Sequence, residues 1–279
     1  MVEAYKPFTL EEALEIRSQK DTMIFAGGSD IMVRYRAWSG TVAEFPKAVL
    51  FIGQLEELRG ISTDNNMIKI GAATTFSQIL EDKRIPEYIK LSVAQIGSTA
   101  IRNLGTIGGN ICNASPAGDT LPMLYALDAK VTVASQSKTF IVGIADFING
   151  PGRNILKKEE LATQITIPLR DYNQFYYQKV GQRKVNTISK VSFFAVAKVD
   201  DTLVHEVKMA FGAVSPTVVR NPETETLLKS VRKKELPEII DRVKESYEKI
   251  INPIDDLRST KDYRRRVSMN IMEGFLRGL

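Results

Sequence analysis

The sequence predicts an α+β fold in two units, and three observations predict it. Through the first 170 residues, short apolar runs such as Met23-Ile24-Phe25-Ala26 and Ala48 to Ile52 alternate with helical patterns. From Asp171 the character changes, and Phe175 to Val180, Val191 to Val199 and Val204 to Val214 follow as three β runs of meander length. After Pro216 the chain reads as helices, so the second unit, 171–279, is a three-stranded antiparallel sheet plus helices. At 279 residues the chain suits one large or two modest domains. A chain of that length buries roughly 75% of its unfolded surface and needs no staples.

Taken in order, Thr9 with Glu12 three residues later is a capping box for a helix whose face holds Leu10, Ala13, Leu14 and Arg17. Met23 to Ala26 reads as a buried strand. Gly27-Gly28-Ser29-Asp30 follows it and leads into a helix over Ile31 to Tyr35, capped by Ser29 or Asp30. A strand, a Gly-Gly turn and a helix N-terminus together present free N–H groups to an anion. Many such turns carry two glycines and bind nothing, and the pattern Gly-x-Gly-x-x-Gly is absent. Ala48 to Ile52 is a second buried strand. Ile61-Ser62 and Met67 to Gly71 are strands around the turn Asp64-Asn65-Asn66. Thr74 or Thr75 opens a helix through Ile79 and Leu80, and Pro86 begins another holding Tyr88, Ile89 and Ile96.

That helix delivers the chain into Ile101 to Asp119, where small residues and Asn dominate. Gly105, Gly108 and Gly109 allow positive φ or close approach of a ligand. Asn103, Thr106, Asn110 and Asn113 alternate with Leu104, Ile107 and Ile111, as in a loop pressed into a core; an ordinary Gly-rich turn is the alternative. Thr120 to Ala129 is a short apolar helix with Asp119 at its cap. Lys130 to Ala134 and Lys138 to Val142 form a hairpin, Asn149-Gly-Pro-Gly breaks the chain, and Gln164 to Ile167 is a strand closed by Pro168. In the second unit one helix carries Leu236, Ile239, Ile240, Val243, Tyr247 and Ile250. The last, capped by Ser259, carries Tyr263, Val267, Ile271, Phe275 and Leu279.

Composition narrows the chemistry. Cys112 is the only cysteine and His205 the only histidine, so the chain builds no disulfide and no four-cysteine cluster. Both read as structural residues. Any redox chemistry then belongs to an organic cofactor. The net charge of +5 is mild, and Arg264, Arg265 and Arg266 read as a solvated helix face, so nucleic-acid binding is not expected. Trp38, beside Arg34, Tyr35 and Arg36, faces a partner or packs. There is no apolar run of membrane-spanning length and no signal-peptide pattern at Met1 to Pro7, so no membrane insertion and a cytoplasmic location are expected.

Two motifs now stand together: Ala26-Gly-Gly-Ser-Asp30 after a strand, then Asn103-Leu-Gly-Thr-Ile-Gly-Gly-Asn-Ile-Cys-Asn-Ala-Ser-Pro-Ala-Gly-Asp119. The pair resembles the FAD-binding (medium) subunits of molybdenum hydroxylases, most of all those of bacterial xanthine dehydrogenases. Ile70 to Phe76, Lys179-Val-Gly-Gln-Arg183, Ala210 to Thr217 and Ser259 to Arg264 extend the likeness over nearly the whole chain. The resemblance implies a two-subdomain FAD-binding domain of the PCMH/vanillyl-alcohol oxidase type at 1–170, and a CO dehydrogenase flavoprotein C-terminal domain at 171–279. It implies FAD contacts from Met23, Ile24, Phe25, Ala26, Gly27, Gly28, Ser29 and Asp30, from Gly105, Thr106, Ile107, Gly108, Gly109 and Asn110, and from Asp119, Leu161 and Lys179. No residue of the chain is implied as catalytic or as a metal ligand. The resemblance implies separate partners: a large subunit with the molybdenum cofactor (molybdopterin) and a small subunit with 2Fe–2S clusters, a dimer of heterotrimers being one assembly open to them. Electrons would pass from the clusters through FAD to NAD⁺ or another acceptor during oxidation of xanthine, a related heterocycle or an aldehyde. A stand-alone FAD-dependent oxidoreductase of the same superfamily is the competing reading, and a binding protein that has lost its cofactor is a third.

Overall fold

The computed structural model describes residues 2–36, 38, 40–183 and 186–279. Its first layer is a parallel sheet in the order Ala4–Tyr5, Val49–Phe51, Met23–Phe25. The helix Leu10–Gln19 packs on it through Ala13 and Leu14, which share a small core with Leu50, Ile52, Leu55 and Leu58. Thr9 caps that helix, its Oγ1 accepting from Glu12 N–H at 3.1 Å. The Glu12 carboxylate accepts instead from Phe8 N–H, one residue before the cap, so the reciprocal half of the box is displaced.

The second layer is an antiparallel sheet ordered Ile61–Asp64, Met67–Gly71, Leu161–Pro168, Lys130–Ala134, Thr139–Gly143. Asn65 and Asn66, with φ of 48° and 58°, close its first hairpin as two consecutive left-handed residues. Short helices cover one face and complete a core that includes Ile68, Ile70, Ile107, Ile111, Val131 and Ile165. Asn149-Gly-Pro-Gly is a hairpin turn between Ile148–Gly150 and Arg153–Asn154 rather than a chain break.

The three C-terminal β runs form the expected meander, Gln174–Val180, Val191–Val199 and Leu203–Gly212. Val219–Arg220 and Val231–Arg232 add two short strands, so the chain does not turn helical directly after Pro216. Strand Val191–Val199 is apolar at nearly every position because it serves two cores. Phe193, Ala195 and Ala197 face the helices Leu236–Glu248 and Lys261–Arg277, while Phe194 and Val196 join the core of the second layer. Arg220 crosses the same junction, donating to the Tyr125 carbonyl at 2.7 Å and pairing with Asp128 and Glu225.

Four expectations need correction. Strand Met23–Phe25 is half-buried, because one side of it faces a cavity. Ile101 to Asp119 is no loop: it contains the helices Thr99–Leu104 and Ile107–Asn113, joined at Gly105. The last helix is capped by Thr260, not Ser259, and buries Arg264, Ser268, Met272 and Leu276, a face turned one residue from the expected stripe. The helix before it ends at Glu248, short of Ile250, which is exposed; Ile251 takes its place in the core. Among the described residues, no helix is long and apolar enough to cross a membrane.

Candidate functional site

A cavity of about 740 Å³ opens between the first two layers, within the usual size of a cofactor site. One wall is the strand Met23–Phe25 with the turn that follows it; the other is the N-terminal part of helix Ile107–Asn113 with Gly105.

The first wall supplies the donors. Gly28 takes φ +73°, which turns the chain sharply after the strand. Its carbonyl accepts from Met32 N–H at 3.0 Å. The N–H groups of Gly27, Gly28, Ser29, Asp30 and Ile31 find no acceptor among the described residues. Neither Ser29 nor Asp30 caps the helix; Asp30 sits at the cap position in αR geometry and its carboxylate pairs with Arg34 at 3.3 Å. The helix, Ile31–Arg34, is a single turn. Its dipole is therefore small, and the open N–H groups are what an anion would use.

The second wall differs from the expectation. Thr106 caps helix Ile107–Asn113. The first donors of that helix are already spent: Ile107 N–H on the Thr74 carbonyl, Gly108 N–H on that of Ala72, and Gly109 N–H on Thr106 Oγ1. None of Gly105, Gly108 and Gly109 has positive φ, so close packing, not turn geometry, explains them. A Cβ on Gly108 would stand 2.6 Å from both Cβ and O of Ala72, in the core. On Gly109 it would meet only Thr106 Oγ1, at 2.9 Å, leaving that position facing the cavity. The two walls touch at Gly27, where a Cβ would lie 2.6 Å from the Leu104 carbonyl carbon. Arg34 bridges them again, donating to Asn113 Oδ1 at 2.9 Å.

The ends of the cavity are chemically distinct. Phe76 and Ile101, beside Gly105, make one end apolar; Arg17, Thr22, Lys157 and Glu160, gathered by the Arg17 guanidinium, make the other polar. Four cationic side chains, Arg17, Arg34, Lys157 and Lys158, line the whole against three carboxylates, Asp21, Asp30 and Glu160.

Of the residues expected at the site, Met23, Ile24, Ala26, Gly27, Gly28, Ser29, Asp30, Gly105, Thr106, Gly108, Gly109, Asn110 and Leu161 line this cavity. Four do not. The Phe25 ring packs on Phe51, 4.8 Å between centroids, and the Ile107 side chain is in the core. Asp119 and Lys179 bond each other instead: Lys179 Nζ lies 2.7 Å from Asp119 Oδ2 and also donates to the Gln95 carbonyl. Asp119 Oδ1 accepts from Ser189 and Tyr177, and Thr120, not Asp119, occupies the following helix cap. Burial raises the Asp119 carboxyl above its ordinary value, with Lys179 opposing, and burial holds the Tyr177 phenol well above its own.

Sequence reasoning missed Arg17, Thr22, Asn113, Asn154 and Ile188 as cavity residues, because strands and turns distant in sequence bring them there. Cys112 also lines the cavity, and burial pushes its thiol up to about 12, as suits a packed residue rather than a reactive one. His205 lies outside it, with Nε2 2.6 Å from Asp200. Trp38 is exposed. Among the described residues no cluster of His, Cys, Asp or Glu is arranged to hold a metal ion.

The chain is similar to known proteins along nearly its whole length. The family model described as FAD binding domain in molybdopterin dehydrogenase matches residues 1–170, and that of the CO dehydrogenase flavoprotein C-terminal domain matches residues 176–279. The glyceraldehyde dehydrogenase medium chain of Sulfolobus acidocaldarius is 34% identical over 268 residues, covering 93% of this chain and 91% of that one. The nicotinate dehydrogenase FAD-subunit of Eubacterium barkeri is 37% identical over 210 residues, covering 71% and 69%. Among solved structures, carbon monoxide dehydrogenase from Hydrogenophaga pseudoflava superposes with a TM-score of 0.88 at 22% identity, over 98% of this chain and 95% of the other.

Proposed function

The chain belongs to the FAD-binding subunits of the molybdenum hydroxylase family, and from that premise we propose how it holds its cofactor and what it serves. Its fold is the two-subdomain PCMH/vanillyl-alcohol oxidase type followed by a smaller α+β domain, and it is an FAD-binding oxidoreductase subunit that transfers electrons within a molybdenum-hydroxylase-type complex. We place the boundary between its domains at 170/171, where the second-layer sheet ends and the C-terminal meander begins.

The observation that carries the cofactor site is the donor set of 27–31. A diphosphate carries about two negative charges and is best met by several convergent N–H groups. Five adjacent N–H groups without acceptors among the described residues, at a turn with Gly28 in the left-handed region, fit that requirement. Gly109 and Thr106 face them across the cavity with no side chain large enough to fill it. Met23, Ile24, Ala26, Gly105, Asn110 and Leu161 would form the remaining walls. Asp119 and Lys179 act from behind as a fixed ion pair, holding Tyr177 and Ser189 beside the Gln95 carbonyl. Phe25 and Ile107 shape the walls through the core rather than by side-chain contact.

Bound FAD supplies the exchange between single-electron carriers and a two-electron acceptor. The chain needs no acid–base residue for that, and its own task is to bind the isoalloxazine and leave one edge reachable. Exposed Leu104 precedes Gly105 at the apolar end, where such an edge would be presented. We assign the electron source to a 2Fe–2S small subunit, the substrate oxidation to a molybdenum-cofactor large subunit, and the acceptor to NAD⁺ or an equivalent, in a cytoplasmic complex. The substrate class is a xanthine-like or other N-heterocycle, or an aldehyde; the names of the Sulfolobus and Eubacterium relatives include one aldehyde and one N-heterocycle.

The test is purification of the native complex. Two further subunits carrying molybdopterin and 2Fe–2S clusters should accompany the chain, and substrate should bleach its flavin only in their presence. Robust substrate oxidation by the isolated chain would overturn the assignment.

A further inference from the structure

The polar end of the cavity contains a buried cation that, among the described residues, makes no direct bond to a carboxylate, although Asp21 and Glu159 lie near enough to act on it by charge. Arg17, on the inner face of helix Leu10–Gln19, is 8% exposed. Its guanidinium bonds main chain only, apart from a long contact to Thr22 Oγ1: Nη1 donates to the Thr22 carbonyl at 2.7 Å, and Nη2 to the carbonyls of Lys157 and Glu160, each at 3.4 Å. Nε has no partner among the described residues. These carbonyls belong to two segments far apart in sequence, both lining the cavity. Thr22 immediately precedes strand Met23–Phe25, while residues 157–160 immediately precede strand Leu161–Pro168. Burying a guanidinium that only the charges of Asp21 and Glu159 offset from a distance is costly, and an apolar side chain would fill a helix–strand corner more cheaply. A planar fork that bonds carbonyls on both sides of a gap is something only arginine provides.

The order of features along the first wall says what the gap is for. From Thr22 the strand runs to Gly27 and the open donors of 27–31, and the apolar end lies beyond, where Gly27 meets Leu104. FAD has the same order: adenosine, diphosphate, flavin. We infer that Arg17 is a positioning residue that fixes the spacing between Thr22 and residues 157–160 at the polar end, making it the adenosine subsite and selecting a dinucleotide over a mononucleotide flavin. The inference rests on the reading that this cavity holds FAD. Arg17 acts through the main chain of Thr22 and 157–160 and need not touch the ligand.

Flavin-free protein, as the full chain, is titrated calorimetrically with FAD, ADP and FMN, for wild type, R17M and R17K. ADP probes the polar end alone and FMN the remainder. In R17M, affinity for FAD and ADP should fall by about tenfold or more, with FMN affinity within about twofold of wild type. The visible spectrum of bound FAD should be unchanged. R17K restores a cation but not the fork, so its ratio of FAD to FMN affinity should be intermediate. If R17M does not fold, the R17K ratio decides: a fall supports the inference and an unchanged ratio overturns it. Equal losses for FAD and FMN, or none, also overturn it, since a merely structural role would lower both together. Wild-type protein that binds none of the three ligands would refute the FAD reading itself.

Discussion

Gly27→Ala is the sharpest probe of how the two walls meet. An alanine Cβ at that position would lie 2.6 Å from the Leu104 carbonyl carbon, nearer still to its oxygen, and 3.1 Å from Gly105 Cα. Every one of these atoms is main chain, so no rotamer change relieves the clash. The deficit against an ordinary carbon–carbon separation is roughly 1 Å, and the walls must part by at least that much. Overpacking of this kind costs about 1–3 kcal/mol. For a chain of this size each kcal/mol lowers Tm by about 2–4 °C, so a fall of roughly 2–12 °C is expected. The larger effect should be on the ligand, because the N–H groups of 27–31 move with the wall. Saturating FAD should raise the wild-type Tm, since a ligand at 100 times its Kd adds about 2.7 kcal/mol to folding stability. In G27A that rise should be mostly lost. Thermal unfolding followed by circular dichroism, with and without FAD, measures both. A G27A protein with wild-type Tm and a full FAD-induced rise would refute the packing argument.

Other variants separate cavity from core. Gly109→Val projects into the cavity and should abolish FAD retention with only a small loss of Tm, whereas Gly108→Val strikes Ala72 in the core and should destabilise the fold with or without FAD; identical behaviour of the two would contradict the geometry. Asp119→Asn leaves the Lys179 ammonium, 5% exposed, without its counter-ion, and urea unfolding should show a loss of about 3–5 kcal/mol. A loss below about 0.5 kcal/mol would mean the pair is solvated. The Cys112 thiol, pushed up to about 12 by burial, holds its proton more tightly folded than unfolded. It therefore costs stability as pH rises above about 8.5, the unfolded value. At pH 8 its thiolate fraction is on the order of 10³ lower than in the unfolded chain. Iodoacetamide should label the native protein correspondingly slowly, and labelling at the unfolded rate would show an open thiol. Cys112→Ala should remove the alkaline loss.

Much of this architecture is legible in the sequence because its signals are local. Thr9, Thr75 and the Asn65-Asn66 turn act through neighbours within three or four residues, and each falls where spacing predicts. The meander is legible because its strands are long and apolar. The glycine motif is readable as important but not as helical: glycine and asparagine disfavour helices, and Ile107–Asn113 is held by contacts from distant segments, among them the carbonyls of Ala72 and Thr74 and the core around Ile107 and Ile111. The last helix misleads for another reason. A four-residue step drifts around a helix of 3.6 residues per turn, and Arg264 faces inward because the carbonyls of Lys190 and Ala213 await it. The site shows the same division. Its glycine-rich walls are local motifs, but the ion pair of Asp119 with Lys179, the clasp of Arg17 and the placement of Ile188 arise from contacts between segments far apart in sequence. No periodicity encodes those.

The central claim is that one FAD lies between the turn 27–30 and Gly109. Titration of flavin-free protein with FAD, followed by flavin absorption and calorimetry, tests it most directly when wild type and Gly109→Val are compared. Wild-type protein should saturate at one FAD per chain, and a G109V protein that is still folded should show no saturable binding. Binding of FAD by G109V with wild-type affinity and stoichiometry would place the cofactor elsewhere and contradict the account.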